Sequence, residues 1–174
     1  FRFSDKSGRM RTLHGIKSPL LLLFFSNPGC EACMNIIQVL KGDPEISGMI
    51  AGGHLKVANI YIDEDLQGWR DYMPIYPEEW YNGFDPDFVI RLENLYHVRA
   101  IPSLYLLDEE KRIIMKDAPE KKVFDYLNTL KKLYGLDPHL SRGSVPVREL
   151  IPTQDKVYMD ELDGRGYEIQ KGLA

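Results

Sequence analysis

The sequence predicts an α/β sandwich, in which helices cover both faces of a mixed β-sheet. The strongest indication is Leu20–Phe25, six apolar residues without polar alternation, which is typical of a strand covered on both faces. Segments with helical spacing alternate with this strand and later ones, as expected for parallel strands joined by helices. With 174 residues, 44% of them hydrophobic, the chain is long enough to bury the core of one domain.

The elements before and after this strand follow from local patterns. An alternating Phe1–Phe3, turn residues at 4–8 and a returning Met10–Leu13 predict an N-terminal β-hairpin. Glu31–Lys41 places its apolar residues on one helical face. Pro44 can open a second, short helix.

The sequence from Leu55 to Gly135 predicts three strands and three helices. Its final two strands are separated by a polar turn and form a second hairpin, and its last helix is opened by Pro119 and ended by Gly135. In chain order we expect a strand at Leu55–Ile62, a helix near Glu64–Tyr72, an aromatic loop, a helix near Pro86–Leu95, strands at Ser103–Leu107 and Arg112–Lys116, and the last helix.

These elements predict one domain over residues 1–135, with an insertion at about 63–88. The insertion holds seven of the chain's nineteen aromatic residues. It is either a wall that recognises a substrate or, on the simpler interpretation, the local core of an inserted helix pair. Residues 136–174 form an extension, which we expect to pack irregularly on the domain with a frayed end.

Composition excludes two classes of function. The net charge is −4 and no stripe of Lys and Arg is present, which argues against nucleic-acid binding. No apolar stretch approaches the ~20 residues of a membrane helix. The chain begins with Phe, which is consistent with removal of a leader or anchor.

The only two cysteines form the motif Cys30-Glu31-Ala32-Cys33, directly after the apolar strand and at a helix start. At a helix N-terminus, unpaired backbone N–H groups and the helix dipole stabilise negative sulfur, and the thiolate is the nucleophile of disulfide exchange. Cys33 lies one helical turn further on the inner side. The pattern therefore predicts Cys30 as the attacking thiol and Cys33 as the resolving thiol.

Two other interpretations of the cysteines remain open. They could be two structural thiols spaced this way by chance, or part of a metal site. Tetrahedral zinc needs four ligands, and the four histidines are scattered without a pairing motif: His14, His54, His97 and His139.

Glu31 bears on the direction of the reaction. Its charge opposes a neighbouring thiolate, which destabilises the dithiol form. A less stable dithiol is a stronger reductant, so Glu31 favours disulfide reduction over oxidation.

Two segments together resemble the thioredoxin-like superfamily, and within it the TlpA/ResA-type extracytoplasmic reductases. They are Phe24–Cys33, which ends in the cysteine motif, and Val98–Asp108, which contains Ala100-Ile101-Pro102-Ser103. The opening Phe1-x-Phe3-x-Asp5-x-x-Gly8 also resembles the N-terminal hairpin of that subgroup. The likeness covers roughly residues 1–134 and implies a three-layer thioredoxin-like sandwich.

The resemblance also implies a binding site. It implies that the Ile101–Pro102 bond is cis, a geometry accessible essentially only before proline. This loop is expected to pack beside the cysteines, and the backbone of Ile101 to pair with a bound substrate strand. We expect substrate to contact five residues: Ile101, Pro102, Pro28, Gly29 and Glu31.

The sequence departs from the family pattern at two places. The family usually carries Trp about two residues before the first cysteine, where this chain has Asn27-Pro28-Gly29. Many members bury a proton-relaying carboxylate at positions that are Phe24 and Ile36 here, both apolar. We therefore expect proton transfer to Cys33 through water, or slow turnover.

Together these observations predict a thiol–disulfide oxidoreductase that reduces protein disulfides. It needs no metal and no organic cofactor, and receives electrons from a redox partner protein. The family likeness implies a bacterial periplasmic or envelope location. The alternatives are a disulfide oxidase or isomerase, and a non-catalytic thioredoxin-like binding module.

Overall fold

One seven-stranded sheet organises the protein, as seen in a computed structural model that describes residues 1–134. Its strands are β1 Arg2–Asp5, β2 Met10–Thr12, β3 Leu20–Phe25, β4 Leu55–Tyr61, β5 Tyr81–Phe84, β6 Ser103–Leu107 and β7 Ile113–Met115. Their order across the sheet is β2-β1-β5-β4-β3-β6-β7; within residues 1–134, only β3 with β4 and β4 with β5 pair in parallel. The predicted α/β fold with a mixed sheet is therefore confirmed.

Within residues 1–134, four α-helices and three short 3₁₀ turns lie between these strands, and a fifth α-helix follows the last strand. The helices are α1 Glu31–Gly42, α2 Pro44–Ala51, α3 Leu66–Tyr72, α4 Val89–Leu92 and α5 Glu120–Tyr134; the 3₁₀ turns are Leu13–Gly15, Met73–Ile75 and Leu95–His97. Asp43 accepts the backbone N–H groups of Glu45 and Ile46 at the start of α2, which explains why Pro44 begins a helix there. None of the helices in this part of the chain is long and apolar enough to cross a membrane.

The strand β3 lies inside the sheet and separates two hydrophobic layers. Leu20, Leu22 and Phe24 face one layer, which receives apolar residues from α1, α2, α3 and α5. Alternate residues of β3 face the other layer, which receives the N-terminal hairpin, α4 and the turn after it. All six residues of β3 are buried, as predicted for a strand covered on both faces.

The prediction was wrong for residues 81–84, which were assigned to an aromatic loop. They form β5, which pairs parallel to β4 and antiparallel to β1 and so joins the N-terminal hairpin to the sheet. The segment has only four residues and contains Asn82-Gly83, which is a turn signal when read alone. Gly83 is required by packing, because a Cβ there would lie 2.5 Å from Phe3 Cδ2 and 2.7 Å from the Ser4 carbonyl oxygen.

The two helices of the aromatic region are shorter than predicted. The helix predicted from Glu64 begins at Leu66, because Asp65 accepts the backbone N–H of Gly68 as its N-cap. The helix predicted near 86–95 is confined to Val89–Leu92 and lies between Phe88 and Asn94, both with φ of 53°. The left-handed conformation cannot continue a right-handed helix. The predicted end at Gly135 and the extension 136–174 lie outside the described residues.

Candidate functional site

The cysteine motif lies where the sequence placed it, at the junction of β3 and α1. Cys30 is the N-cap of α1, and its Sγ accepts the backbone N–H of Cys33 at 3.1 Å. The two cysteines are disulfide-bonded, with their Cα atoms 5.2 Å apart. Cys30 is half-buried, whereas Cys33 is only 1% exposed. The cysteine at the start of the helix is therefore partly exposed, and the one a turn further along it is buried.

The turn that presents Cys30, named the redox turn here, consists of Asn27, Pro28, Gly29 and Cys30. The Cys30 N–H donates to the Asn27 carbonyl oxygen at 3.3 Å. Gly29 has a φ of 71°, a left-handed conformation that glycine adopts without steric cost. Gly29 is exposed and Pro28 is half-buried. The turn thus projects from the sheet edge with Cys30 at the start of the helix.

The loop before β6 lies beside the redox turn. Phe25 pairs with Ser103 across the antiparallel β3–β6 ladder, so Pro102 comes opposite Ser26, at the residue where the redox turn begins. The Ile101–Pro102 bond is cis. Ile101 is half-buried and packs against both hydrophobic layers. Two segments separated by about seventy residues in sequence therefore meet at one sheet edge.

A hydrogen bond to a carboxylate holds the redox turn from its other side, a feature that the sequence analysis missed. The Asn27 side-chain Nδ2 donates to Asp63 Oδ2 at 2.7 Å. The other oxygen of Asp63 pairs with Arg91, in α4. The Asn27 Oδ1 atom is buried and has no hydrogen-bond partner within residues 1–134. The turn is thus tied through one amide to the end of β4.

Buried polar side chains cross the sheet on the face that carries Cys33, and together they are named the amide chain. The Ser26 hydroxyl donates to Asn59 Oδ1. Asn59 donates to Asn82 Oδ1 at 3.1 Å, and Asn82 donates to the Pro77 carbonyl oxygen at 2.7 Å. Every donor points the same way, from the start of the redox turn towards the aromatic segment.

The amide chain lies beside Phe24, one of the two positions at which many family members carry a carboxylate. Phe24 is paired in register with Asn59, and Phe24, Ile36 and Cys33 all belong to the same buried apolar cluster. Both positions are therefore apolar in the structure as in the sequence. Burial raises the pKa of the nearby Tyr76 phenol, and its contact with Ser26 partly opposes this shift.

The aromatic segment provides both core and surface. Trp69, Tyr76 and Trp80 are buried in the same cluster as Cys33, which supports the interpretation of this region as local core. Tyr72 differs, because it is half-buried and its hydroxyl lies 3.8 Å from the position that a Cβ on Gly29 would occupy. One aromatic side chain of the segment therefore reaches the redox turn.

The remaining predicted residues have simple positions. Glu31 is exposed in the first turn of α1. His14 is exposed, and His54 and His97 are half-buried. Within residues 1–134, no three His, Cys, Asp or Glu side chains are placed to hold a metal ion together.

Comparison with known proteins identifies clear relatives among solved structures. A thioredoxin-like protein from Bacteroides caccae is 42% identical, with a TM-score of 0.70, over 73% of this chain and 46% of that chain. The C-terminal domain of an uncharacterized protein from Bacteroides fragilis is 45% identical, with a TM-score of 0.70, over 73% of this chain and 91% of that chain. The likeness thus covers nearly the whole of one solved domain and under half of the other protein.

One more distant solved structure shares the fold, and one further sequence relative matches part of the chain. The thioredoxin domain of a thiol-disulfide oxidoreductase from Bacteroides vulgatus is 20% identical, with a TM-score of 0.62, over 76% of this chain and 91% of that chain. An uncharacterized protein of Methanocaldococcus jannaschii is 41% identical over 68 residues, which are 39% of this chain and 25% of that protein. No protein-family model matches the sequence.

Proposed function

Because this chain belongs to the thioredoxin-like superfamily, we propose that it is a thiol–disulfide oxidoreductase that reduces disulfide bonds of protein substrates. The observation that carries the proposal is the asymmetry of the cysteine pair. Cys30 is a half-buried N-cap whose sulfur accepts a backbone N–H, and Cys33 is buried one helical turn away. That arrangement suits one sulfur for attack from outside and the other for attack from within.

The reaction follows from these positions. In the dithiol form, the Cys30 thiolate attacks one sulfur of a substrate disulfide, and the other substrate sulfur leaves as a thiolate that takes up a proton. Cys33 then loses its proton and attacks the Cys30 sulfur, which releases the second substrate thiol and closes the Cys30–Cys33 disulfide. Two electrons pass to the substrate. A redox partner protein must then supply two further electrons, which reduce the Cys30–Cys33 disulfide back to the dithiol.

Several groups support the attack at Cys30. The backbone N–H of Cys33 and the positive end of the α1 dipole stabilise charge on the Cys30 sulfur. We propose that the backbone of Ile101, with Pro102 beside it, pairs with the substrate strand, and that Pro28, Gly29 and Glu31 form the rest of the contact surface. The exposed charge of Glu31 works against the dithiol form and so favours reduction.

We further propose a TlpA/ResA-type role in a bacterial cell envelope. The support is the likeness of residues 1–13 to the N-terminal hairpin of that subgroup, together with relatives from Bacteroides species. The hairpin is part of the sheet through β5. A fractionation experiment with the full-length protein in its own cells would test the location, and recovery in the cytoplasm would contradict it.

A pair of single substitutions tests the chemistry. With a disulfide-containing peptide as substrate, Cys30→Ser should abolish reduction, whereas Cys33→Ser should accumulate a stable mixed disulfide through Cys30. Reduction that persists in Cys30→Ser would refute the enzymatic role and favour a binding module. A mixed disulfide formed through Cys33 in the Cys30→Ser variant would reverse the assigned roles.

The direction is tested by the reduction potential of the pair. For a reductase, equilibration with glutathione should give a reduction potential of about −270 mV. A value of about −120 to −180 mV would instead indicate oxidation or isomerisation, and the proposed direction would then be wrong.

A further inference from the structure

We infer that Tyr72 is a substrate-contacting residue, whose phenolic hydroxyl hydrogen-bonds the polypeptide that carries the disulfide attacked by Cys30. This inference rests on the proposed function and adds a binding residue to that site. It starts from position: Tyr72 ends α3, and its hydroxyl lies 3.8 Å from where a Cβ on Gly29 would be. Gly29 is exposed and directly precedes Cys30.

The Tyr72 hydroxyl is available to a ligand. Among the hydrogen bonds within residues 1–134, none involves it, although a tyrosine that serves only as core usually pairs its hydroxyl. A Cβ added to Gly29 would be in ordinary van der Waals contact with this hydroxyl, so the hydroxyl faces the side of the redox turn where glycine has no side chain. A phenol can both donate and accept, which suits either the N–H or the C=O of a peptide group.

The ring of Tyr72 packs on one side against the hydrophobic layer that contains Cys33. Tyr76, four residues later, is buried, and its ring lies 6.5 Å from that of Tyr72. A side chain that is partly packed in the free protein loses less conformational entropy when a ligand binds than a fully exposed one.

The position of Tyr72 is complementary to that of Pro102. The β3–β6 register places Pro102 on the β6 side of the redox turn. Tyr72 belongs to the connection between β4 and β5, which lies on the other side of β3. A polypeptide that reaches Cys30 therefore meets the Ile101–Pro102 loop on one side of the turn and the Tyr72 hydroxyl on the other. Substrates that present a peptide group to both sides are favoured over small disulfides.

The experiment compares two kinds of substrate. Removal of the hydroxyl in Tyr72→Phe should lower kcat/KM for a disulfide-containing peptide by about threefold to tenfold, mainly through KM, as expected for one neutral hydrogen bond. Reaction with 5,5′-dithiobis(2-nitrobenzoate), a small disulfide without peptide groups, should stay within about twofold of the wild type. The urea midpoint should not change, because the lost hydroxyl has no hydrogen-bond partner within residues 1–134.

The matched control is Tyr81→Phe. Tyr81 is also half-buried, but it packs with the layer opposite to Cys33, so this variant should react like the wild type with both substrates. An unchanged kcat/KM for the peptide in Tyr72→Phe overturns the inference, and so does an equal loss with both substrates, which indicates a general disturbance. A wild-type protein inactive towards both substrates overturns the proposed function itself, and the inference falls with it.

Discussion

Substitution of Gly83 by alanine tests whether β5 joins the hairpin to the sheet as described. The new Cβ would lie 2.5 Å from Phe3 Cδ2 and 2.7 Å from the Ser4 carbonyl oxygen. Phe3 is fully buried and so has no free space to move into. Ser4 belongs to the β1 backbone, which pairs with β5 through Ser4↔Phe84 and Asp5↔Gly83. Relief of the clash therefore requires the two strands to separate.

The expected loss of stability follows from two opposing effects. Overpacking of a dense core costs about 1–3 kcal/mol, and the upper end applies because one of the two contacts is with backbone. Replacing glycine by alanine also restricts the unfolded chain, which offsets about 0.4–1 kcal/mol. The net decrease in the free energy of unfolding should be about 2 kcal/mol.

Urea denaturation, followed by the fluorescence of the buried Trp69 and Trp80, measures this change. For a slope of about 2 kcal/mol/M, the Gly83→Ala midpoint should fall by about 1 M. Gly42→Ala is the matched control, because no atom lies within 4 Å of its added Cβ and it ends α1. That variant should keep or slightly raise the midpoint. Equal midpoints for the two variants would refute the packing of β5 against Phe3 and Ser4.

Two further predictions concern charged residues at the ends of the hairpins. Burial raises the pKa of Asp5, but hydrogen bonds from Ser7, Arg11 and Arg9 lower it more, so the net pKa lies well below its usual range; Asp5→Asn should cost about 1–2 kcal/mol at pH 7. Because the folded pKa is depressed, this stabilisation is complete above the unfolded value near 3.9 and is lost as pH falls through the folded pKa. The gap between wild type and variant in pH-dependent urea midpoints should therefore narrow below about pH 4, and a constant gap would contradict the assignment. Lys111 has a left-handed φ of 66°, and burial lowers the pKa of its ammonium group. Lys111→Gly and Lys111→Ala both remove a buried side chain and its hydrogen bond to the Glu109 carbonyl oxygen, but only glycine relieves the left-handed strain. The glycine variant should therefore have a free energy of unfolding about 1 kcal/mol above that of the alanine variant, and equal thermal stability of the two would count against backbone strain at 111.

The parts of the fold that local sequence specifies were predicted well. The run Leu20–Phe25 became β3 with unchanged bounds, because six apolar residues between Pro19 and the turn at Pro28 and Gly29 are too short for a buried helix and suit a strand covered on both faces. Pro44 marked the start of α2 for a similarly local reason. The strand β5 was missed because its pairing with β1 and β4 is non-local. Its four residues alone favour a turn.

At the candidate site, too, the features that depend on local sequence were predictable and the contacts between distant segments were not. The position of Cys30 at the N-cap of α1 was predictable, since it depends only on a strand followed by a turn and a helix. The hydrogen bond from Asn27 to Asp63 spans 36 residues, and the one from Ser26 to Asn59 spans 33. Contacts between residues so far apart in the sequence leave no periodic pattern in the ~11–18 residues from which a helix or strand is predicted. They follow from the parallel register of β3 and β4, which the sequence does not encode locally.

The cysteine pair and the groups around it come from different parts of the chain. The two sulfurs, with the Cys33 N–H that donates to the Cys30 sulfur, lie within four consecutive residues. The groups around them come from the connection between β4 and β5 and from the loop before β6. The amide chain links the first of these to Ser26, where the redox turn begins. Changes in the aromatic segment can therefore reshape the surface beside Cys30, while the distance between the two sulfurs is still set by α1.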